Sequence, residues 1–380
     1  QLAKLIRVIT FDPDGTDSQA LDTMAALVVE PPHARPLINT LAVISKRWMT
    51  QRGGGDLAQL RQALIGERIV LRAPPQLTGD IQKLKAHSLQ IGIDLQSYEK
   101  IDQADGVIRI TRDCQRAALA AARDGSLLLI GEPGAGKSAV INTLARELRS
   151  HGDVVEMAVD RYSVQDLVGL QRELGLDHDL VSVLEAWDGP TDGWLIIDAL
   201  DATRGGKGEG AFRTLIERVL GLKGRWKVVA SIRTFDLRMG VRFRELFQGR
   251  PADRDYQEST FSTVRHLAVP SWSPDEFQRV LDQAPDLRRA LDGVPAQLRQ
   301  LAMVPFNTRL IGELLREGMS AGAFVHLASQ AGLLRLYWDY RITPLGAGAD
   351  GCLLRVVQSM VDGRTLRTPT ALIAALGSVA

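Results

Sequence analysis

The stretch Gly131-Glu-Pro-Gly-Ala-Gly-Lys-Ser138 decides how the rest of this chain is interpreted. It matches the pattern G-x-x-x-x-G-K-[ST] at every fixed position, and it lies between an apolar run at 126–130 and a helical pattern at 139–148. Glycines let the backbone curl so that several N–H groups point at one phosphate, and the helix that follows adds its positive N-terminal end. The stretch therefore predicts a phosphate-binding loop between a strand and a helix.

The fixed residues of this loop have defined chemical tasks. We expect Lys137 to bring a mobile positive charge to the β- and γ-phosphates of a nucleotide, and the hydroxyl of Ser138 to bind Mg²⁺. A glycine-rich turn without a ligand is the alternative, and the flanking strand and helix argue against it. The residues expected to contact the nucleotide are Gly131, Glu132, Pro133, Gly134, Ala135, Gly136, Lys137, Ser138 and Ala139.

The sequence around the loop predicts an α/β protein with a parallel sheet. Short apolar runs alternate with helical patterns, which is typical of parallel strands joined by crossover helices. The runs are continuously apolar, as expected of strands that helices cover on both faces. They span 126–130, 154–159, 194–198 and 227–231, and a fifth strand is expected at 265–270.

One of these runs ends in a carboxylate. The run 194–198 closes with Asp198, which we expect at the end of a strand beside the phosphate loop, where it can hold the water shell of Mg²⁺. An extra strand, 154–159, lies between the loop and this acid. That arrangement resembles the branch of P-loop proteins that has an additional strand and includes AAA+ and STAND ATPases.

The residues after this strand carry a more specific resemblance. Asp198-Ala-Leu-Asp201 is similar to the D-[small]-hydrophobic-D-E signature of STAND NTPases, the signal-transduction class that includes NACHT and NB-ARC proteins. The resemblance covers roughly residues 106–340. It continues in the run that ends at Arg233, similar to a strand with a sensor arginine, and in Pro305, which resembles the lid proline that packs on the nucleotide.

This resemblance implies a fold, a set of ligands and a mode of action. It implies a P-loop NTPase core with the strand order 5-1-4-3-2, bound ATP or ADP, and Mg²⁺ held by Ser138 and Asp198. Lys137, Asp198, Asp201 and Arg233 are the implied catalytic residues, with Arg233 contacting the γ-phosphate. In this class nucleotide exchange opens or closes the lid, and the ATP state exposes a surface for self-assembly that activates an effector.

Two departures from the family pattern affect the predicted chemistry. Ala202 stands where the family has a glutamate, which leaves Asp201 as the nearby acid that can orient the attacking water, so we expect slow hydrolysis. The arginine of Ser-Ile-Arg233 is one position later than usual, so Ser231 competes for the sensor role. Arg233 is preferred because a guanidinium neutralises developing phosphoryl charge and a hydroxyl does not.

Several neighbouring segments have two interpretations. Residues 106–110, followed by Arg112 and Asp113, lie where adenine usually binds, but a short edge strand with solvated arginines explains them too. Pro305 also fits a plain helix start. Residues 204–210 form either a mobile loop over the nucleotide or an insertion.

Four segments are predicted along the chain. They are an α-rich N-terminal region at 1–105, the P-loop NTPase core at 106–273, a helical lid domain at 274–345, and the start of a winged-helix-like module at 346–380. In the first segment Asp56 is expected to cap a helix, and another helix is expected to carry Ile81, Leu84 and Leu89 on one face. The chain opens without Met and stops without a helix cap, so we expect it to be a fragment.

Composition excludes several other classes. A formal net charge of +1 selects neither nucleic acid nor membrane, although an average can hide a local basic patch. Cys114 and Cys352 are too few for a disulfide framework and fit a reducing compartment, so a cytoplasmic location is expected. No apolar run is long enough for a membrane span, and no secretory signal opens the chain. The six histidines lack metal-binding spacing, so no metal other than Mg²⁺ is expected.

The functional prediction is an ATP-binding and ATP-hydrolysing STAND-type switch that forms homo-oligomers. Antiviral defence is the expected setting, with the effector outside these 380 residues and a protein or nucleic-acid trigger. A DNA-acting AAA+ ATPase of the initiator or helicase-loader type is the alternative. A third interpretation is a degenerate P-loop domain in which bound ADP acts as a structural clamp.

Overall fold

The structure, a computed structural model, describes residues 25, 29, 31–50, 57–69, 71, 75–103, 106–109, 111–203, 208–222 and 224–363. Its strands are β1 (Lys100–Gln103), β2 (Gly106–Arg109), β3 (Leu127–Gly131), β4 (Asp153–Ala158), β5 (Gly193–Asp198), β6 (Trp226–Arg233) and β7 (His266–Ala268). Its α-helices are α1 (Ala34–Thr50), α2 (Leu57–Gly66), α3 (Pro75–Leu95), α4 (Gln115–Asp124), α5 (Lys137–Leu148), α6 (Leu167–Glu173), α7 (Leu180–Ala186), α8 (Gly208–Leu220), α9 (Thr234–Met239), α10 (Val241–Leu246), α11 (Pro274–Gln283), α12 (Pro285–Ala290), α13 (Ala296–Ala302), α14 (Pro305–Arg316), α15 (Gln330–Arg341) and α16 (Ala347–Gly363).

The five strands β3 to β7 form one parallel sheet with the spatial order β4-β5-β6-β3-β7. When β3, the strand before the phosphate loop, is counted as strand 1, the order read from β7 to β4 is 5-1-4-3-2. The predicted fold class and strand order are therefore confirmed. The fifth strand is shorter than the predicted 265–270, because pairing with β3 involves only His266–Ala268. Pairing of β3 with β6 places Arg233 opposite Gly131, and pairing of β4 with β5 places Asp198 opposite Ala158.

Helices cover both faces of this sheet. In β3, Leu128 and Ile130 join a core cluster with α6 and α8, whereas Leu127 and Leu129 join a second cluster with α4 and α5. Successive side chains of a strand point to opposite faces, so a strand buried on both faces needs an unbroken apolar sequence. This requirement explains why the runs recognised in the sequence are continuous rather than alternating.

Helix α3 covers the open edge of the sheet at β4. Leu84 is buried as predicted, but Leu89 is 56% exposed, so the predicted apolar face was wrong at that residue. Ser88 is buried in its place: its hydroxyl donates to the carbonyl of Val154 at 3.1 Å and accepts from the N–H of Glu156 at 3.0 Å. A polar residue lies on the buried face because an edge strand has backbone groups to satisfy.

The region before residue 106 contacts the predicted core directly. Leu77, Ile81 and Leu84 of α3 belong to the same apolar cluster as one face of the sheet. The antiparallel hairpin β1–β2 packs instead on the lid, through Ile101 and Ile108. The predicted domain boundaries remain predictions, and the first of them runs through a segment with extensive contacts on both sides.

The lid begins as the sequence indicates. Ser273 caps α11 in a reciprocal capping box with Glu276, and Pro274 occupies the first helical turn. The tail of the predicted winged-helix-like segment, 364–380, lies outside the described residues, as do Asp56 and residues 204–207. Within the ranges given above, no helix is both long and apolar enough to cross a membrane.

Candidate functional site

The phosphate loop connects β3 to α5 at the carboxyl-terminal ends of the parallel strands. Gly134 and Gly136 have φ angles of +79° and +92°, in the left-handed region that favours glycine. A Cβ atom at Gly131 would lie 2.6 Å from the carbonyl oxygen of Val269 on the neighbouring chain segment. All three glycines are thus required by backbone conformation or close approach, and the loop keeps a cradle free of side chains that suits a phosphate chain.

Lys137, the first residue of α5, folds back over this loop. Its ammonium group donates to the carbonyl oxygens of Gly131 at 2.9 Å and Glu132 at 3.0 Å. Burial lowers the pKa of Lys137, and the nearby carboxylates Asp201 and Asp198 act in the opposite direction. The ammonium group is thus held beside the phosphate loop by two backbone carbonyls, which phosphate oxygens can replace.

Asp198 lies at the end of β5 and is only 3% exposed. The hydroxyl of Ser231 donates to its Oδ1 at 2.5 Å and accepts from the N–H of Ala199 at 2.8 Å, so it braces the end of β5 against β6. Burial raises the pKa of Asp198, while hydrogen bonds from Ser231 and Ser138 lower it. The structure therefore brings together the carboxylate and hydroxyl predicted to hold Mg²⁺, and oxygen groups of this kind suit that ion.

Asp201 and Arg233 form an ion pair at the same edge of the sheet. The guanidinium Nε of Arg233 lies 2.6 Å from Oδ2 of Asp201, whose side chain is 7% exposed, while that of Arg233 is half exposed. Ala199 has a φ of +59°, uncommon for a residue with a side chain, and this sharp turn after β5 directs the next residues toward the loop. Ala202, at the position of the family glutamate, packs against the apolar core.

The lid touches the phosphate loop through the first turn of α14. The N–H of Phe306 donates to the carbonyl of Gly134 at 3.1 Å, and a Cβ at Gly134 would lie 3.0 Å from the Cβ of Phe306. Pro305 is the first residue of α14, and its ring lies 3.7 to 3.8 Å from a Cβ built on Gly136. Pro305 therefore starts a helix and lies against the phosphate loop, and its packing on a nucleotide stays a prediction.

A second connection between loop and lid runs through Arg112, which is 5% exposed. Its guanidinium donates to Glu276 Oε1 at 3.0 Å, to the carbonyl of Ala135 at 2.8 Å and to the carbonyl of Pro270 at 2.6 Å. The same group lies 4.6 Å from the ring centroid of Trp272. The interpretation as solvated arginines fails for Arg112, and β2 pairs with β1 rather than with an edge of the central sheet.

These elements enclose a cleft with a cavity volume of about 260 Å³. Tyr98, Lys100 and Ile101 line it together with Arg112, whereas the described residues 106–109 do not. Arg309 of α14 also lines the cleft, ion-paired to Glu313 at 2.8 Å and 5.7 Å from the ring centroid of Tyr98. No local motif marks these residues, since tertiary packing alone brings them to the loop.

The predicted site residues come together in this one cleft. It is lined by Pro133, Gly134, Gly136, Lys137, Ser138, Ala139, Asp201, Arg233 and Pro305. Asp198 lies buried directly beneath, in contact with Ser231. Across the described part of the chain, no group of three or more His, Cys, Asp or Glu side chains is arranged to hold a metal ion. A cation at this site would depend on Ser138, Asp198, water and phosphate oxygens together.

Several solved structures resemble this chain at low sequence identity. No family model and no curated protein matches the chain. Among solved structures, the ORC1 protein of Aeropyrum pernix in complex with DNA is 13% identical, with 70% of this chain and 76% of that chain covered and a TM-score of 0.38. A Walker-type ATPase of Pyrococcus abyssi is 13% identical, with 66% and 77% covered and a TM-score of 0.39. AMPPCP-bound DnaA of Aquifex aeolicus is 12% identical, with 66% and 69% covered and a TM-score of 0.30.

All three sequence identities are low and all three TM-scores are below 0.5. The assignment of the fold therefore rests on the strand order and the phosphate loop of the chain itself. A parallel sheet of this order, with a glycine loop between β3 and α5 and an acid at the end of β5, defines the class of P-loop NTPases. The α/β fold with its helical lid is therefore that of a P-loop NTPase.

Proposed function

We propose that this chain is an ATP-binding molecular switch of the STAND type, in which the nucleotide at the phosphate loop controls the position of the lid. The observation that carries the proposal is the direct hydrogen bond from the N–H of Phe306 to the carbonyl of Gly134. A loop that must wrap around phosphate and a lid that is bonded to that loop cannot move independently. Binding at the loop is thereby converted into a displacement of α14.

Arg112 supports this coupling from the other side of the loop. It bonds the carbonyl of Ala135 in the loop and the carboxylate of Glu276 in the first turn of α11. Loop and lid are joined at two places, by a backbone hydrogen bond and by a buried guanidinium. Because the lid is attached to the loop at two places, we expect it to move as one body when the loop changes conformation.

Binding and catalysis are assigned to the residues at the sheet edge. Lys137 is free to exchange its two carbonyl partners for phosphate oxygens, and the N–H groups at the start of α5 face the same space. Ser138 and Asp198 would hold Mg²⁺, which supplies charge neutralisation at the phosphates when bound. Adenine is the expected base, placed between the segment 98–101 and the lid.

The ion pair of Asp201 and Arg233 explains why turnover is expected to be slow. Arg233 contacts Asp201 through its Nε, so the pair must open before the whole guanidinium can turn toward a phosphate or Oδ2 of Asp201 can face an attacking water. Ala202, which stands where the family has a second acid, provides no carboxylate to replace Asp201 while the pair is closed. Before nucleotide binds, the expected base Asp201 and the expected sensor Arg233 thus neutralise each other's charge.

The further parts of the proposal rest on the resemblance of Asp198–Asp201 to STAND proteins. They are nucleotide-controlled homo-oligomerisation, activation of an effector outside these residues, and a cytoplasmic role in antiviral defence. The trigger is a protein or a nucleic acid. Each part depends on the lid responding to nucleotide, so that response is the first property to measure.

The decisive experiment identifies the nucleotide released on denaturing the purified chain and records molecular mass before and after addition of ATP and Mg²⁺. ADP in a monomer that assembles on ATP addition supports the switch, and Lys137→Ala should remove both properties. Turnover that rises when duplex DNA is added would favour the DNA-acting alternative. Tightly retained ADP with no turnover and no change in mass would favour the structural clamp.

A second pair of variants tests the assignment of the base and the sensor. Asp201→Asn and Arg233→Ala should each abolish measurable turnover while ATP is still bound. If Asp201 is the base, the Asn variant should accumulate the ATP-bound assembly, because binding is intact and hydrolysis is not. Unchanged turnover in Asp201→Asn would remove this residue from the mechanism.

A further inference from the structure

Helix α14 carries a row of charged side chains that leads from the nucleotide cleft to the next helix of the lid. Arg309, Glu313 and Glu317 are spaced four residues apart, so they lie along one side of α14 and its C-terminal cap. Arg309 is at the cleft end and lines the cavity, whereas Glu317 is at the far end, where it pairs with Arg341 of α15. The row therefore connects the cleft to α15.

The cleft end of the row lies close to the phosphate loop. Arg309 comes three residues after Phe306, whose N–H bonds the carbonyl of Gly134, so its Cα is only about 4.5 Å further along the helix axis. Its guanidinium lies 5.7 Å from the ring centroid of Tyr98, which also lines the cavity. Within the described residues only its Nε forms a hydrogen bond, so Nη1 and Nη2 remain as donors. A nucleotide that fills the cavity would meet these donors.

Glu313 holds that guanidinium in place. Its Oε1 accepts from Nε of Arg309 at 2.8 Å, and its side chain is only 13% exposed. Its second oxygen, Oε2, accepts from the hydroxyl of Tyr337 on α15 at 3.2 Å. An arginine side chain has many rotamers, and a charged hydrogen bond to a nearly buried partner removes most of that freedom. The orientation of Arg309 is therefore set by Glu313, and that of Glu313 by α15.

Helix α15 is less firmly buried than the helix on which it packs. Of its twelve residues, all of them described, only Leu333 is buried, whereas six of the twelve residues of α14 are. Polar contacts complete its attachment: Tyr337 donates to Glu313, and Tyr340 donates to the backbone carbonyl of Glu317 at 2.8 Å. Elements with few buried residues open at a smaller cost in free energy than elements of the core. Helix α15 is therefore more easily displaced than α14.

The helix that follows is joined to α15. Nε1 of Trp338 in α15 donates to Oδ1 of Asp350, in the first turn of α16, at 2.7 Å. Among the residues of α16 whose exposure is described, none is buried. A displacement of α15 would therefore carry α16 with it.

We propose that Glu313 and Tyr337 are positioning residues of the nucleotide site, which orient Arg309 toward the bound nucleotide only while α15 is docked on α14. The inference rests on the proposed function, because it requires a nucleotide in the cleft, and it adds a means of regulating the affinity for that nucleotide. A coupling between two equilibria acts equally in both directions. Release of α15 and α16 weakens nucleotide binding, and nucleotide binding holds both helices in place.

The test compares two variants of α15 that each lose one hydroxyl group. Tyr337→Phe removes the contact with Glu313, and Tyr340→Phe removes a contact with the backbone of Glu317 that does not lead to Arg309. In calorimetric titration with a non-hydrolysable ATP analogue and Mg²⁺, the affinity should fall by about 3- to 10-fold in Tyr337→Phe and by less than about 2-fold in Tyr340→Phe. Arg309→Ala should lower it by about 10-fold or more.

A double-mutant cycle separates a positioning role from a structural one. If Tyr337 acts through Arg309, the double variant Arg309→Ala/Tyr337→Phe should bind the analogue as weakly as Arg309→Ala alone, to within about 2-fold. Amide hydrogen exchange of residues 330–341 measures the coupling in the other direction. At saturation the analogue should slow this exchange in the wild type and in Tyr340→Phe, but not in Arg309→Ala.

Three results would each overturn the inference. They are equal affinities of Tyr337→Phe and Tyr340→Phe, additive effects of Tyr337→Phe and Arg309→Ala in the double variant, and no change in the exchange of α15 when the wild type binds the analogue. The proposed switch fails separately if the analogue binds with the expected pattern while the molecular mass does not respond to ATP. Absence of nucleotide binding to the wild type would overturn both.

Discussion

The two walls of the nucleotide cleft differ in how their charges are satisfied. On the sheet wall, formed by the phosphate loop with Asp198, Asp201 and Arg233, Lys137 contacts only backbone carbonyls and Asp198 is buried with a raised pKa. On the lid wall, formed by Arg112, Trp272, α11 and the start of α14, the buried charges are fully paired: Glu276 accepts from Arg112 and from the backbone N–H groups of Asp113 and Ser273. The sheet wall is arranged to receive a ligand, and the lid wall to hold the fold.

The largest effect is expected from Arg112→Ala on the lid wall. The substitution leaves Glu276 as a buried carboxylate without its charge partner, and we expect a loss of about 3–5 kcal/mol in the free energy of unfolding. Urea denaturation measures it. The double variant Arg112→Ala/Glu276→Gln should recover part of the loss, because the uncompensated charge is then gone.

A nearby ion pair provides the control for this prediction. Arg279 pairs with Asp113 at the same junction, but both side chains are about half exposed. Arg279→Ala should therefore cost less than about 1 kcal/mol. Equal losses of stability for Arg112→Ala and Arg279→Ala would mean that breaking the buried ion pair costs no more than breaking the exposed one.

On the sheet wall, Lys137→Ala should affect binding and leave stability nearly unchanged. Loss of a charged hydrogen-bond donor to phosphate should weaken ATP binding by roughly 10- to 100-fold. The free energy of unfolding without nucleotide should shift by no more than about 0.5 kcal/mol, since only two carbonyl contacts disappear. Calorimetric titration with ATP and Mg²⁺ measures the first quantity, and Lys46→Ala, on the exposed side of α1, is the control. A large loss of stability would show that Lys137 holds the fold as Arg112 does.

Gly134→Ala tests the contact where the two walls meet. Alanine at a φ of +79° is strained, and its Cβ would lie 3.0 Å from Phe306 and 3.1 Å from Val304. Gly175→Ala has nearly the same strain, with a φ of +65° and no atom within 4 Å of the new Cβ. Both should lose about 1 kcal/mol from strain, and Gly134→Ala should lose at least as much again and bind ATP more weakly. Equal behaviour of the two variants in denaturation and titration would remove the loop–lid contact from the proposed coupling.

The smallest expected effect is a gain of stability in Asp198→Asn. Burial raises the pKa of Asp198 in the folded state above the ordinary value of 3.8, so the folded protein binds the proton more tightly than the unfolded chain does. Stability of the wild type should fall as the pH rises from 3.8 through the raised pKa. Asparagine removes that pH dependence, and at pH 7 it should raise the free energy of unfolding by on the order of 1 kcal/mol. The same substitution should weaken Mg²⁺-dependent ATP binding. Denaturation curves over a pH series measure it, and parallel curves for both proteins would contradict it.

Much of the sheet wall was predictable because it is encoded by consecutive residues. The loop pattern needs its glycines for backbone conformation, and the acid at the end of β5 follows an apolar strand that must be parallel to β3. The lid wall was not predictable in the same way. Arg112 and Glu276 are far apart along the chain, and nothing in the local sequence of Arg112 distinguishes a buried arginine with several acceptors from a solvated one.

By itself, the sequence determined the phosphate loop, the parallel strands around it and the acid beside it, through local conformational rules and the pattern of apolar residues, whereas the strand order was expected only from the family resemblance. Only the tertiary structure decided that Ser88 rather than Leu89 faces the sheet, that Asp201 and Arg233 neutralise each other, and that Arg112 is buried between the phosphate loop and the lid. The physical reason is that burial and charge pairing depend on which distant atoms come within a few ångströms, and no short stretch of chain contains that information.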